Sequence, residues 1–520
     1  MKRFDLAIVG SGFGGSILAL IARRLGRSVL LLEKGTHPRF VIGESTTPLS
    51  NLLLEEVARR WDLPRLLPFT KFGRWQRERP DVACGLKRGF TFYRHERDRP
   101  FAGRPDRSDQ LLVGASPRDE VGDTHWYRPD FDHALVREAE DAGVDYRDRV
   151  ALDAATETAD GMTLGGVRDG TRFEVTARLV VDATGPRGFL HRALALGEEP
   201  FPHLPPTQAL YSHFEGVTRM EAMEPFARFQ DPPYPPDDAA VHHVFPGGWI
   251  WVLRFGNGLT SAGVSALDRV ADELGLTEGE AGWKRLLDRL PTVRAQFANA
   301  RATLPFVHVP RLSFRSTSAA GRRWALLPYA AGFVDPLLST GFPLTLLGVV
   351  RLGEALERDW NDDDSLAAAL RRYEARTLDE RDLAGNLIAA LWTSFDDFPL
   401  FRALSLLYFA AASWTEACRR LGQSERARGF LLAEEPAFRT ALVACCDAAL
   451  ALPARGPDRD RARDELLARI REAIAPIDVA GLLRTDRDAW FPVEAADLRA
   501  AREKLGVEAE AIEAMLTRYS

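Results

Sequence analysis

Residues 4–33, FDLAIVGSGFGGSILALIARRLGRSVLLLE, leave this chain few folds to choose from. An apolar run at 5–9 leads straight into Gly10-x-Gly12-x-x-Gly15, an amphipathic segment follows over 16–25, and a second apolar run at 28–32 ends on Glu33. That order spells strand, glycine turn, helix and strand, one βαβ unit. Gly10 permits the tight turn, Gly12 lets the backbone approach a pyrophosphate, and Gly15 lets the helix pack close on the strand. The helix N-terminus can then hold the anion. Glu33, 18 residues past Gly15, stands where its carboxylate accepts hydrogen bonds from a ribose diol. A lone glycine pattern is weak, but here strand, helix and acidic residue all accompany it, and a bound dinucleotide is expected. Phe13, Gly14, Lys34 and Arg39 lie beside these positions and join the expected contacts.

The 520 residues are 46% hydrophobic with a net charge of −6, an ordinary globular balance that offers no basic field for nucleic acid. Cys84, Cys418, Cys445 and Cys446 form no CxxC pair and no cluster with ligand spacing, so they read as buried apolar residues and no metal is expected. The first strand begins within four residues of Met1, and the longest apolar run, 404–414, is too short to span a bilayer. No membrane partner and a cytoplasmic location are the expectations. Only six of the 68 basic residues are Lys, at 2, 34, 71, 87, 284 and 504, so a lysine inside a patterned stretch carries information.

After Glu33, a polar loop through Gly43, Glu44 and Ser45 is placed to close over the cofactor, and Ser50 is expected to cap the next helix. Phe90, Phe92 and Arg94 alternate with Thr91, Tyr93 and His95 as in a strand. Arg128 opens a helix that Gly143 stops, and 144–153 and 162–175 read as strands of a small meander. Residues 178–185, RLVVDATG, read as a buried strand ending in a small-residue turn, which brings Asp182 and Gly185 to the cofactor.

From 207 to 312 the pattern changes to alternating strands broken by Pro-rich loops, an antiparallel sheet laid over the cofactor. Trp249 and Trp251 share one face of it, where periodicity alone favours ordinary core aromatics. Asp335-Pro336-x-x-Ser339-Thr340-Gly341 then delivers the chain into a long apolar helix, whose first N–H groups suit a small anion or the cofactor's ring edge. Beyond 361 the periodicity is helical, punctuated at 396–399, 422–423 and 453–458.

On these residues the chain resembles the flavin-dependent halogenases, within the FAD-dependent monooxygenase superfamily, and most closely the branch acting on free phenolic substrates. The resemblance covers roughly residues 4–360. It rests on the glycine fingerprint with Glu33, on HPRF-x-x-GE over 37–44, and on Cys84-Gly85-x-Lys87-x-Gly89-Phe90. It also rests on Arg128 before an Asp-Phe-Asp helix and on Phe333-x-x-Pro336-x-x-Ser339-x-Gly341.

The fold it implies is α/β: a Rossmann-like FAD-binding domain with an antiparallel substrate-side β-sheet, mainly 87–115 and 205–320, within residues 1–360. A helical C-terminal region follows over 361–520. The chemistry implied is halogenation of an electron-rich aromatic, a phenol, indole or pyrrole, in secondary metabolism. It would use FAD as FADH2, O2 and chloride or bromide, with a separate NAD(P)H-dependent flavin reductase as partner and a small aromatic substrate, free or carrier-tethered. The halide would lie at the amides of Thr340 and Gly341. Asp335 and Gly341 would touch the flavin, as would Glu44 and Ser45.

Lys87 looks like the halogenation lysine, with Lys71 as runner-up. An ammonium can polarise hypohalous acid, or an amine can form a haloamine, whereas Arg stays charged and is a far poorer nucleophile. The expected substrate pocket lies between the Trp249 strand and the Phe90 strand, from Phe90, Phe92, Trp249, Trp251, Pro336 and Ser339, with polar tips from Tyr93, His95 and Arg254.

Two motifs depart from the family. Trp249-Ile250-Trp251-Val252-Leu253-Arg254 has Arg where the family has Pro, and Pro328-Tyr329 replaces a Gly-Asp pair. No counterpart of the tryptophan branch's catalytic glutamate is found, which disfavours tryptophan as substrate. An aromatic hydroxylase reduced by NAD(P)H is the alternative reading and would not need Lys87. A non-catalytic flavoprotein-fold binding protein is the third, and the complete phosphate loop argues against it.

Overall fold

The computed structural model describes residues 3–453 and 455–519. Its organising layer is a parallel sheet in which Arg3–Val9 lies between Val29–Leu32 and Thr171–Asp182, with Asp145–Arg147 outside Val29–Leu32 and Trp324–Leu326 beyond Thr171–Asp182. Val9 pairs with Leu32 on one side and Asp182 on the other, and Asp182 pairs with Leu326. Four strands therefore end at one edge, where an open α/β sheet holds its ligand.

The meander and the buried strand expected separately near 162–182 share one strand. Thr171–Asp182 runs antiparallel to Gly161–Arg168 in its first half and parallel to Arg3–Val9 from Thr176 onward. The helix Phe13–Arg24 buries Ile17, Leu18, Leu20 and Ile21 under this sheet, each worth about 1.5–3 kcal/mol. The helix Pro48–Arg60 is capped by Thr47 and not by Ser50: Ser50 N donates to Thr47 Oγ1, and the Ser50 hydroxyl accepts from Thr47 N, a capping box one turn earlier than expected.

The second sheet has nine strands. Gly89–Arg94 pairs parallel with Ala240–Phe245, and Gln110–Gly114 pairs parallel with Trp490–Phe491, so this layer is mixed where a purely antiparallel one was expected. Period-two alternation gives it two faces. Phe90, Phe92, Trp249 and Trp251 pack into the main core, while Tyr93, Ile250 and Val252 pack with Phe101, Phe226 and the helical segment over 268–297.

The helices Gly341–Arg358, Asp363–Thr393, Phe398–Arg420, Pro436–Leu450 and Pro457–Ile474 break close to the expected loops, although Phe398 and Pro457 already open helices inside them and the break at 359–362 was not among them. They share one hydrophobic cluster with the first sheet and the Phe90 face. No helix among the described residues is long and apolar enough to cross a membrane.

Candidate active site

The edge where the four strands end opens into a cavity of about 790 Å³. The glycines act at its floor as elementary sterics demand. A Cβ on Gly15 would lie 2.1 Å from the Gly10 carbonyl oxygen, and one on Gly10, whose φ is +102°, would meet the Ala183 backbone at 2.7 Å. Glu33 Oε2 accepts from Ser11 N, Ser11 Oγ and Arg39 Nη2, and Oε1 accepts from Gly35 N. Burial opposes its ionisation, but Arg39 and these donors prevail and hold it below the usual carboxylate range. Arg128 is pinned by Asp132 at 2.8 and 2.7 Å and by the Gly43 carbonyl, and its guanidinium lies 5.1 Å from the centre of the Phe13 ring.

Of the expected cofactor positions, all but Asp182 line this cavity. Asp182 is a correction. Its carboxylate accepts from Thr184 N, Thr184 Oγ1 and Leu190 N, so it shapes the turn 183–190 and is spent there. The neighbours Ala183, Thr184 and Gly185 reach the cavity instead.

A dinucleotide flavin fits what is present. The cavity joins the fingerprint end at Glu33 to the Asp335-Pro336-x-x-Ser339 turn, and Glu44 Oε2 on its wall is buried with no hydrogen-bond partner among the described residues. The other Glu44 oxygen is 2.7 Å from His213 Nε2. At the far end, Asp335 is 2% exposed. Its carboxylate accepts from Leu337 N and Ser265 Oγ, and burial pushes its pKa up to about 7 against those bonds and the indoles of Trp249 and Trp392. Trp249 and Trp251 thus belong to the cavity wall as well as the core. Tyr329, from the Pro-Tyr that replaces the family's Gly-Asp, also lines it.

Thr340 and Gly341 start the long helix and line a separate water-sized cavity of about 10 Å³ with Tyr329, Phe333 and Arg381, and Gly341 borders the large cavity as well. Arg381 is held by the carbonyls of Ser316 and Ala331 and by Asp382.

Lys87 lines neither cavity and stands between residues that do: Ser45 of the large one and Phe90 of a second. It is fully buried, and its ammonium donates to Ser45 Oγ at 2.9 Å and to the Thr46 carbonyl at 2.6 Å. It also sits 3.7 Å from the Phe90 ring centroid. Ser45 faces the large cavity, whereas Phe90 lines a second cavity of about 190 Å³. Desolvation drives the Lys87 pKa from the usual lysine range down to about 7, with Asp123 opposing the fall. His125 and His242 nearby are held neutral by burial and by the Lys87 charge, His242 being pushed down to about 3.

The second cavity takes its walls from Phe90 and Val113 of the sheet, from Tyr408, Phe409 and Glu416 of the helix Phe398–Arg420, and from Met515 near the chain's end. Lys71 lines it too and pairs with Asp123 at 3.8 Å. Sequence reasoning missed this cavity, because its walls come from segments hundreds of residues apart.

The expected substrate pocket is therefore redistributed. Pro336, Ser339, Trp249 and Trp251 line the large cavity, Phe90 lines the second, and Phe92 lines neither, its ring buried 4.3 Å from that of His242. Tyr93, His95 and Arg254 are corrections, since strand alternation turns them to the opposite face. Tyr93 packs on Phe101 and Phe226, and His95 bonds His243. Arg254 binds the carbonyls of Val217 and Thr218 and the carboxylate of Asp237, which explains how an Arg replaces the family's Pro without charging the cavity.

The family model for tryptophan halogenase matches residues 125–405, and that for an NAD(P)-binding Rossmann-like domain matches 8–48. Monodechloroaminopyrrolnitrin halogenase PrnC of Pseudomonas fluorescens is 30% identical over 416 residues, 78% of this chain and 71% of that one. The chain belongs to the flavin-dependent halogenases. Among them, the tetracycline 7-halogenase of Kitasatospora aureofaciens is 29% identical over 79% of this chain and 74% of its own. Halogenase PltM, crystallised with phloroglucinol and FAD, shares the fold with a TM-score of 0.84 at 24% identity, over 93% of this chain and 99% of that one. Membership makes this flavin-dependent halogenase an oxidoreductase that uses FAD and halide to halogenate an aromatic.

Proposed function

We propose that this halogenase modifies a free, electron-rich phenolic ring held in the second cavity, with Lys87 carrying the halogen between the two chambers. The observation that carries the reading is the Lys87 ammonium, buried in a wall with Ser45 of the flavin side and Phe90 of the other side within reach. When bound and reduced, FAD supplies the O2 chemistry that turns halide into hypohalous acid. A separate NAD(P)H-dependent flavin reductase provides the reduced flavin. Thr340 and Gly341, at the positive end of a helix and beside the flavin cavity, hold the halide.

Lys87 then acts as a nucleophile. With its pKa brought down near 7 by burial, a substantial fraction is neutral amine at physiological pH. The nitrogen lone pair takes the halogen from hypohalous acid, and hydroxide leaves with an amine proton as water. The arene attacks the halogen, its C–H becomes C–X, and the amine is restored. Burial of Lys87 between the two cavities keeps its nitrogen from solvent. The apolar second cavity with a few polar tips suits a small phenol, and PltM's bound phloroglucinol and the tetracycline substrate of another relative are both phenolic.

The test is reconstitution with FAD, a flavin reductase, NADH and bromide against a panel of phenols, read by mass spectrometry. The brominated product should disappear in Lys87→Met while flavin oxidation continues. Undiminished bromination by that variant would refute the lysine's role.

A further inference from the structure

We infer that Asp123 is the proton-holding partner of Lys87: it protonates the halogen-bearing lysine nitrogen and then takes the proton released by the arene carbon. The inference rests on the proposed role of Lys87 and goes beyond it.

The geometry begins with a two-stranded ladder. Cys84–Lys87 runs antiparallel to Asp123–Trp126, and Lys87 stands directly opposite Asp123. Directly opposed residues of an antiparallel pair project to the same face with Cβ atoms about 4.5–5.5 Å apart. Asp123 is 1% exposed and Lys87 fully buried, so neither exchanges protons freely with water. Asn51 Nδ2 fixes Asp123 Oδ1 at 2.8 Å. Oδ2 is buried with no hydrogen-bond partner among the described residues, an unusual cost for a carboxylate that is only structural.

Position gives the direction of transfer. The ammonium hydrogen-bonds Ser45, on the flavin side, whereas Asp123 pairs with Lys71, which lines the second cavity. A lysine side chain that carries halogen from the first chamber to the second passes from Ser45 to Asp123.

The groups facing this pair set its titration. Around Asp123 stand Lys87, Lys71 at the start of the helix Phe72–Glu78, and Glu416 and Tyr408 of the helix Phe398–Arg420. His125 and His242 face Lys87, both held neutral. Burial raises the Asp123 pKa, Glu416 adds to the rise, and Lys71 and Lys87 oppose it.

The step balances. A haloamine nitrogen accepts the Asp123 proton and becomes a haloammonium, a stronger halogen donor. The arene takes X⁺ with the N–X bond breaking to give neutral amine, and the arenium C–H proton returns to the Asp123 carboxylate.

The test compares pH profiles of brominated product per flavin oxidised for the wild-type holoenzyme, Asp123→Asn and Lys71→Met, with Lys87→Met alongside. Wild type should lose efficiency on the alkaline side as Asp123 deprotonates. Asp123→Asn should fall at least tenfold at the optimum and lose that alkaline limb, with FAD binding and flavin oxidation unchanged. Lys71→Met removes the cation that favours the Asp123 anion, so the limb should move to higher pH. Lys71 is at the surface of the cavity, so this variant serves even if Asp123→Asn does not fold.

An Asp123→Asn profile parallel to wild type, or an alkaline limb unmoved in Lys71→Met, overturns the inference. Product retained by Lys87→Met would instead overturn the reading on which it rests.

Discussion

Asp335→Asn tests the electrostatics of the cofactor cavity through folding stability. The carboxyl is fully enclosed, and its pKa is raised to about 7 from 3.8, chiefly by burial. Between those pH values the folded chain holds a proton that the unfolded chain has released. Stability contributed by this proton is complete below pH 3.8 and is lost as pH rises through 7. Roughly three pKa units at 1.36 kcal/mol each make the loss about 4 kcal/mol. The amide substitution removes it. The retained carbonyl can accept from Leu337 N, and the new NH2 can donate to Ser265 Oγ, which rotates to accept, so both native partners are kept.

Urea midpoints of the FAD-free protein, wild type and variant, at pH 5, 6, 7 and 8 give the measurement. The variant's advantage should grow by about 3 kcal/mol from pH 5 to 8, since one unit of the titration lies below that range. Parallel midpoints across the series would refute the argument that burial, and not the Ser265 and Leu337 bonds, sets the charge state of Asp335.

Two further predictions concern the phosphate turn and the far face of the second sheet. Gly15→Ala should raise the FAD dissociation constant at least tenfold by flavin fluorescence titration, because a Cβ 2.1 Å from the Gly10 carbonyl forces helix and strand apart by about 1 Å at the phosphate turn; an unchanged constant would sink the close-packing account. Tyr93→Phe should leave the yield of halogenated product per flavin oxidised within about twofold of wild type. Its hydroxyl faces the far side of the sheet and has no hydrogen-bond partner among the described residues, so a larger change would return Tyr93 to the substrate pocket.

What the sequence made legible was contiguous. The fingerprint, Glu33 and the Phe333 to Gly341 turn each lie within a few residues of one another, and their function follows from local backbone geometry. Lys87, proposed above to carry the halogen, stood out for a different reason: in a chain that uses Arg almost everywhere, a lysine inside a patterned strand is a choice. Tyr93, His95 and Arg254 were excluded from the pocket by information already in the sequence. The alternation that aims Phe90 and Phe92 one way aims Tyr93 and His95 the other, and Arg254 sits three residues from Trp251, also on the opposite face. Asp182 was mistaken because a carboxylate at the end of a core strand can face a ligand or close its own turn, and only the positions of Thr184 and Leu190 distinguish the two.

Asp123 and the second cavity were beyond reach for a physical reason that also explains the architecture. Lys87 is placed by three segments, since Cys84–Lys87 pairs with Asp123–Trp126 while Ser45 bridges to His125. No periodicity links positions 45, 87 and 123. The opposite wall comes from Tyr408, Phe409 and Glu416, more than 280 residues further on. A reactive oxidant requires an enclosed path, and enclosure within a fold requires walls from several elements, so the residues that confine the chemistry are those a local reading cannot assemble. The helices beyond 361 bear on specificity under the proposed function: no residue beyond Thr345 lines the large cavity, whereas the second cavity, proposed to receive the arene, takes Tyr408, Phe409 and Glu416 from them.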